Sequence, residues 1–323
     1  MKDFERLVEP LRSRLRLHCY RMLGSSHDAD DMVQETLMRA FRSRDTLHDP
    51  DAVRPWLYRI ATNVCLDELQ KRPRRARGPE LGPPSEPDIA VPTFLADDEW
   101  LEPCPSAWLV GTDPGAEYSL KESVALAFVA ALQVLTPAQR AVLLLRDVVG
   151  LSAEETARAL DSSVSAANSA LHRARVALEE RVGPRASWSP DEAAPVDVAL
   201  LERYMHAWER GDLATIVALL HDEASISMPP APIWIEGGGA VGRFFAIRLG
   251  QALAKRAFRT RACDANGAPA IAFYRGHDDG RAHLFGIHVP QWREGRIVRI
   301  DHFMTKSGLG AFLAAGIAPS TPM

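Results

Sequence analysis

Six polar side chains at helical spacing, Ser165, Asn168, Ser169, His172, Arg173 and Arg175, are the residues of this chain best suited to recognition chemistry. Hydroxyl, amide and imidazole groups exchange hydrogen bonds with base edges and guanidinium groups meet phosphates, so the row suits a helix lying in a DNA major groove. A second set, His221, Asp222, His288, Asp301 and His302, carries groups that act as general acids or bases when they line a pocket. Asp301 and His302 are neighbours on an expected strand, so their side chains point to opposite faces and share a pocket only across a bulge. Cys19, Cys65, Cys104 and Cys263 are scattered, with no CxxC and no Cys/His spacing for tetrahedral zinc. The reading is a reduced, cytoplasmic protein with no metal and no cofactor.

The elements that must carry these groups follow from periodicity. In LSAEETARALDSSVSAANSALHRARVAL, Leu151 to Leu178, Ser152 and Glu155 form a capping box, Leu160 to Ser163 supply a turn, and Val164, Ala167 and Leu171 give the second helix its buried stripe. Two short helices joined this tightly make a helix-turn-helix; the plainer alternative is an amphipathic hairpin whose basic face is solvated and whose Arg173 and Arg175 complement the helix dipole. Residues 3 to 72 read as helices, with Phe4, Leu7, Val8, Leu11 and Leu15 at i, i+3, i+4, i+7 spacing. The helix from Ser25 to Ser43 sets Ala29, Val33, Leu37 and Ala40 on one face and Asp31, Gln34, Glu35 and Met38 on the other. The next helix buries Trp56 or Leu57, Ile60, Val64 and Leu69 and runs into Lys71, Arg72, Arg74, Arg75 and Arg77, a basic end suited to a phosphate backbone.

Charge then changes sign. From Gly78 to Leu120 there are nine carboxylates, eight prolines and no Lys or Arg, so the formal charge of -4 divides into -9 here and +5 elsewhere. An irregular linker is expected, spanning up to ~150 Å when fully extended. Acidity and proline suffice for a solvated tether, but Trp100, Leu101 and Trp108 are large apolar anchors within it. The stretch WLEPCP is therefore expected to dock, either on a basic surface of a partner or on the C-terminal domain. At 323 residues the chain has room for two or three domains, and no apolar run approaches the ~20 residues of a membrane span.

Beyond a short linker at GPRASWSPDEAAP, two helices split at Arg210-Gly211-Asp212 precede alternating segments broken by DANG, HDDG and REG turns. Helices followed by an antiparallel sheet give an α+β domain. MPPAPIWIEGGG, Met228 to Gly239, is apolar and turn-rich, as the lip of a pocket or a surface facing other domains would be.

These residues carry two resemblances. DADDMVQETLMRAFR resembles region 2.2 of the extracytoplasmic-function (ECF) subgroup of bacterial sigma-70-type factors, RPWLYRIATNVCLDELQKR resembles the promoter-melting helix that follows it, and LTPAQRAVLLLRDVVGLSAEETARAL with SALHRARVAL resembles sigma domain 4. Asp197 to Pro230, with GGGAVGRFFAIRLG and GIHVPQWREGRIVRIDHFM, resembles a SnoaL-like cone. The implied chain is multidomain: all-α sigma domains 2 and 4 at 1–75 and 119–183, an acidic linker at 76–118, a short linker at 184–194 and an α+β cone at 195–316.

The resemblance also implies roles. Asp31, Gln34, Glu35 and Met38 would dock on the clamp coiled coil of the polymerase β′ subunit, and domain 4 on the β flap. Asp45, Thr46, Trp56, Arg59, Asn63, Lys71 and Arg72 would open and hold the minus-ten element, with Trp56 read as a core residue rather than a stacking platform. Ser165, Asn168, Ser169, His172, Arg173 and Arg175 would read the minus-thirty-five element. Asp161 stands at the turn position where Gly is common, and Asn168 and Ala170 where Lys and Arg are frequent, so weaker phosphate contact and a shallower salt dependence are expected. His221, His288, Asp301 and His302 would line a cone pocket, for an unidentified ligand if for any. The expected function is a non-enzymatic, monomeric initiation subunit tuned by its cone. The alternatives are a ligand-sensing DNA-binding regulator and, further off, a SnoaL-type isomerase or cyclase.

Overall fold

In the computed structural model, residues 2–71, 82–89, 100–109, 125–182 and 198–323 are described; Arg72 lies outside them. The chain divides into two compact units, Met1–Arg75 with Trp108–Ser189, and Ala76–Ala107 with Pro190–Met323.

The first unit is helical: α1 (Lys2–Val8), α2 (Arg12–Leu23), α3 (Ser26–Arg42), α4 (Val53–Leu69), α5 (Leu126–Leu132), α6 (Pro137–Leu143), α7 (Ala153–Ala159) and α8 (Val164–Val182). Local sequence explains the joints. Gly24, left-handed at φ 69°, ends α2, and Ser25 caps α3 by accepting the Asp28 N–H. Thr136 and Gln139 form a capping box that opens α6, and Ser152 and Glu155 form the one expected at α7. Between α7 and α8 the turn residue Asp161 has φ 47°. Leu15, Leu17, Tyr20, Val33, Leu57 and Val64 are buried in the α2–α3–α4 layer, and Leu132, Leu143, Leu171 and Leu178 in the layer formed by α5, α6 and α8. Trp56 and Ile60, expected in the core, are half-buried. One feature had no signal in the pattern: α6 runs into a π-turn over Leu144–Val148, which widens the helix by one residue and turns Asp147 towards α8.

The second unit is a curved sheet on two long helices. Its helices are α9 (Val198–Arg210), α10 (Leu213–Ala218), α11 (Gly238–Ala254) and α12 (Lys306–Ala314); its strands are β1 (Leu220–Met228), β2 (Ala231–Glu236), β3 (Phe258–Ala265), β4 (Ala268–Gly276), β5 (Arg281–Arg293), β6 (Arg296–Phe303) and β7 (Ser320–Pro322). The order β2-β1-β6-β5-β4-β3, with β7 beside β5, departs from the all-antiparallel expectation, because β1 pairs parallel with β6. The cause is topological. The β1–β2 hairpin leaves through α11 to the far edge, and the β3–β6 meander then returns to β1 in the same sense, a long-range pairing that alternation within single strands does not encode. Tyr204, Trp208, Ile226, Phe244, Phe245, Phe273 and Ile300 fill the concave face.

Residues 82–89 and 100–107 of the acidic linker belong to this second unit. The Trp234 indole N–H donates to Gly82 O at 2.9 Å and the Ser85 N–H to Trp234 O at 2.7 Å. Residues 100–106 lie against the β3–β4 turn: the Cys104 N–H donates to Asn266 Oδ1 at 3.0 Å, the Asn266 N–H returns to Cys104 O at 2.9 Å, and Pro105 bridges Ala265. Trp100, Leu101 and Cys104 are buried, and the Ser307 hydroxyl at the start of α12 donates to the buried Glu102 carboxylate. Trp108 belongs to the first unit, edge-on to Tyr20 and under the Arg16 guanidinium.

Candidate nucleic-acid interface

The helix-turn-helix row is built from α8. Ser163 starts the helix by accepting the Ala166 N–H at 3.1 Å, while Ala167, Leu171 and Ala174 face inward and are buried. Ser165, Asn168, Ser169, His172 and Arg173 are all exposed, and together with Val164 they line one open face. Arg175, expected in the same row, is committed elsewhere. Its guanidinium makes a bidentate pair with Asp147, Nε to Oδ2 at 3.0 Å and Nη2 to Oδ1 at 2.6 Å. That pair lies at the rim of a separate cavity of about 230 Å³ lined by Phe128, Leu143, Val148 and Leu178. The π-turn that presents Asp147 is the reason, and the hydrogen bonds to Asp147 raise the Arg175 pKa further.

On α3 the expected polar face splits in two. Gln34 and Met38 line a groove with Arg12, Leu37, Phe41 and Arg42, and Met38 and Phe41 are large apolar groups open to water. Asp31 is exposed beside His27. Glu35 is held by Arg39 at 2.7 Å, and the same guanidinium reaches Asp67 on α4 at 3.0 Å, tying the two helices together.

Around α4, Asp45 and Thr46 sit in the 3-10 turn Arg44–Thr46. Trp56 is half-buried, edge-on to Phe4, and its indole N–H donates to Thr46 Oγ1 at 3.3 Å. Asn63 is half-buried, and Lys71 pairs with Glu68 at 3.4 Å. Arg59 extends from α4 to Asp161 in the helix-turn-helix, Nη2 to Oδ1 at 3.0 Å. Two further arginines make contacts that sequence patterning gave no sign of. Arg54 donates to Val149 O, and the buried Arg140 donates to Met22 O and, at 2.8 Å, to Gln133 Oε1. Met22 O is one of the terminal carbonyls of α2, which lack an intrahelical partner.

The proposed pocket residues of the C-terminal unit do not form one group. His288 and His302 are cross-strand partners facing the core, their Nδ1 atoms 3.2 Å apart, and the Tyr204 hydroxyl lies 3.0 Å from His288 Nε2. Burial lowers the His302 pKa to about 4; burial, with help from His302, puts His288 well below its usual value. Asp301 alternates away from them. It accepts from Ser227 at 2.7 Å and from Nε and Nη2 of Arg299, each at 3.0 Å. His221 stands apart at the start of β1, with Glu223 and Arg293 as neighbours. No cluster of three or more metal-ligating side chains occurs among the described residues, and no helix among them is long and apolar enough to cross a membrane.

Known proteins fit this arrangement. Residues 7–75 match the family described as Sigma-70 region 2, residues 125–178 the family Sigma-70, region 4, and residues 201–300 the SnoaL-like domain. The chain is 40% identical over 306 residues, 94% of its length, to the ECF RNA polymerase sigma factor SigG of Mycobacterium tuberculosis, of which the match covers 81%. It is 29% identical over 242 residues to SigJ of the same organism, covering 73% of this chain and 70% of that one. The crystal structure of SigJ superposes with a TM-score of 0.59 at 25% identity, covering 96% of this chain and 98% of that chain.

Proposed function

The chain belongs to the ECF RNA polymerase sigma factors, and on that premise we propose how its parts divide the work of initiation. The groove at Gln34, Leu37, Met38 and Phe41 takes the clamp coiled coil of β′. Its half-exposed Met38 is the kind of flexible apolar side chain that repacks against a partner helix. The cavity beside Phe128, Leu143 and Leu178 takes the β flap. Asp45, Thr46, Arg59, Asn63, Lys71 and Arg72 handle the minus-ten strand, where contacts to opened bases and phosphates must recover the cost of unstacking. Trp56 supports this site from below through Thr46.

Ser165, Asn168, Ser169, His172 and Arg173 read the minus-thirty-five element. The observation that carries the reading is their continuous exposure along one helix capped by Ser163, immediately after a helix-turn-helix joint. Only one cation stands in that row, so binding there is modest in affinity and shallow in salt dependence. The SnoaL-like domain tunes activity without catalysis of its own. Support comes from the linker stretch 100–106, whose anchors are buried on that domain, so that occupancy of the linker by polymerase and by the domain are alternatives. A ligand of the domain, if one acts, is read by the buried His288 and His302.

In vitro transcription with core polymerase tests this. The full chain should initiate from promoters in a genomic pool, and failure to initiate from any overturns the reading. A chain ending after Val182 leaves residues 100–106 without their partner, so altered initiation by it supports tuning and unchanged initiation removes it.

A further inference from the structure

We propose that Asp161 is the catch of an intramolecular latch that closes the helix-turn-helix onto the promoter-melting helix and occupies Arg59 in place of DNA. Among the described residues, three arginines cross the joint between the two promoter-reading blocks inside the first unit. Arg140 caps the end of α2 at Met22 O, Arg54 meets Val149 O at the close of the π-turn, and Arg59 meets the Asp161 carboxylate at 3.0 Å. Two of these bonds end on backbone carbonyls. Arg59–Asp161 is the one whose acceptor is a side chain, and that side chain offers Arg59 the same anionic oxygen chemistry as a phosphate.

Asp161 holds a left-handed backbone at φ 47°, a conformation unusual for a residue other than glycine. A glycine would make this turn with less strain and would leave Arg59 unpaired. The carboxylate therefore contributes something the turn itself does not require.

The closed arrangement also cannot serve a promoter. Elements named for positions 10 and 35 lie about 25 base pairs apart, about 85 Å at ~3.4 Å per base pair. In the closed chain, residues assigned to the two elements are joined by a 3.0 Å contact between Arg59 and the turn that leads into α8. Engagement of both elements requires the joint to open. Because the ion pair is half-exposed at Arg59 and more so at Asp161, it contributes a modest bias that polymerase and DNA can overcome, not a lock.

The inference rests on the reading of α4 as the melting helix only for its consequence, not for the latch itself. The test uses the full chain with Cys263→Ser, labelled at Gln70→Cys and Glu180→Cys, both exposed positions of the two blocks. Label-to-label distance is measured with and without Asp161→Asn, the substitution that keeps a side chain tolerant of left-handed φ and removes the charge. Asp161→Asn and Arg59→Gln should each raise the ratio of open to closed chains about two- to five-fold, and the double variant should go no further than either. High salt should open the parent chain and leave the Asp161→Asn chain unchanged. Unaltered distances, or single effects that add, overturn the latch. A single-stranded minus-ten oligonucleotide should bind the opened Asp161→Asn chain more tightly. If distances open and this affinity does not change, the latch stands and the assignment of Arg59 to promoter DNA falls.

Discussion

His288 and His302 face each other across β5 and β6 with their Nδ1 atoms 3.2 Å apart, so at least one of the two must be neutral to accept the proton the other offers. With Tyr204 on the far nitrogen of His288, the three side chains form a hydrogen-bonded line through the core of the SnoaL-like domain. Their surroundings, including Trp208 and Phe273, are aromatic, and burial accordingly keeps both imidazoles uncharged.

A pH dependence of the domain follows. Unfolded histidines take up protons below about pH 6.5, whereas folded His302 does so only near 4. Between these values the unfolded chain binds more protons, so stability falls as pH falls, by up to about 1.4 kcal/mol per pH unit for each histidine, and flattens for His302 below about 4. Amide exchange in β5 and β6 at pH 7.5 and 5 should show this loss, and His302→Gln should reduce it. An equal loss in the variant would assign the effect to other groups.

Replacing Trp100 and Leu101 by Ser should free the linker without unfolding the domain it rests on. Burial of the leucine alone is worth about 1.5–3 kcal/mol, and Ser restores none of it. Limited proteolysis should then cut within residues 100–106, and initiation or abortive synthesis should change. A protection pattern like that of the parent chain would mean that the contacts to Asn266 hold the segment unaided.

The two arginines at the end of the recognition row should separate in a salt titration of promoter binding. Arg173→Ala removes a free phosphate contact and should lower the slope of log affinity against log salt by about 0.9. Arg175→Ala should leave the slope nearly unchanged, because its guanidinium is engaged by Asp147, and should instead cost about 0.2–1 kcal/mol of stability. Equal slopes for the two variants would return Arg175 to the DNA.

Met38→Asp should weaken binding to core polymerase about tenfold or more, a loss of at least ~1.4 kcal/mol, with no change in Tm. The side chain is half-exposed on α3, in the groove with Gln34, Leu37 and Phe41. Undiminished polymerase affinity would place the clamp contact on another face.

The chain by itself determined whatever depends on neighbours within about four residues. The capping box of Ser152 and Glu155, the inward stripe of Ala167 and Leu171, the outward row from Ser165 to Arg173 and the opposed faces of Asp301 and His302 all follow from the 3.6- and 2-residue periods. The sign change at residue 78 and the anchors at Trp100 and Leu101 marked the linker as more than a tether.

Only the tertiary structure decided what each anchor meets and which charges are already spent. The parallel β1–β6 pair, the seat of residues 100–106 beside Asn266, the turn of Asp147 towards Arg175 and the reach of Arg59 to Asp161 join residues that are 28 to 162 positions apart. Local period carries no record of such partners. They are chosen when the folded chain satisfies its remaining carbonyls, carboxylates and apolar faces all at once.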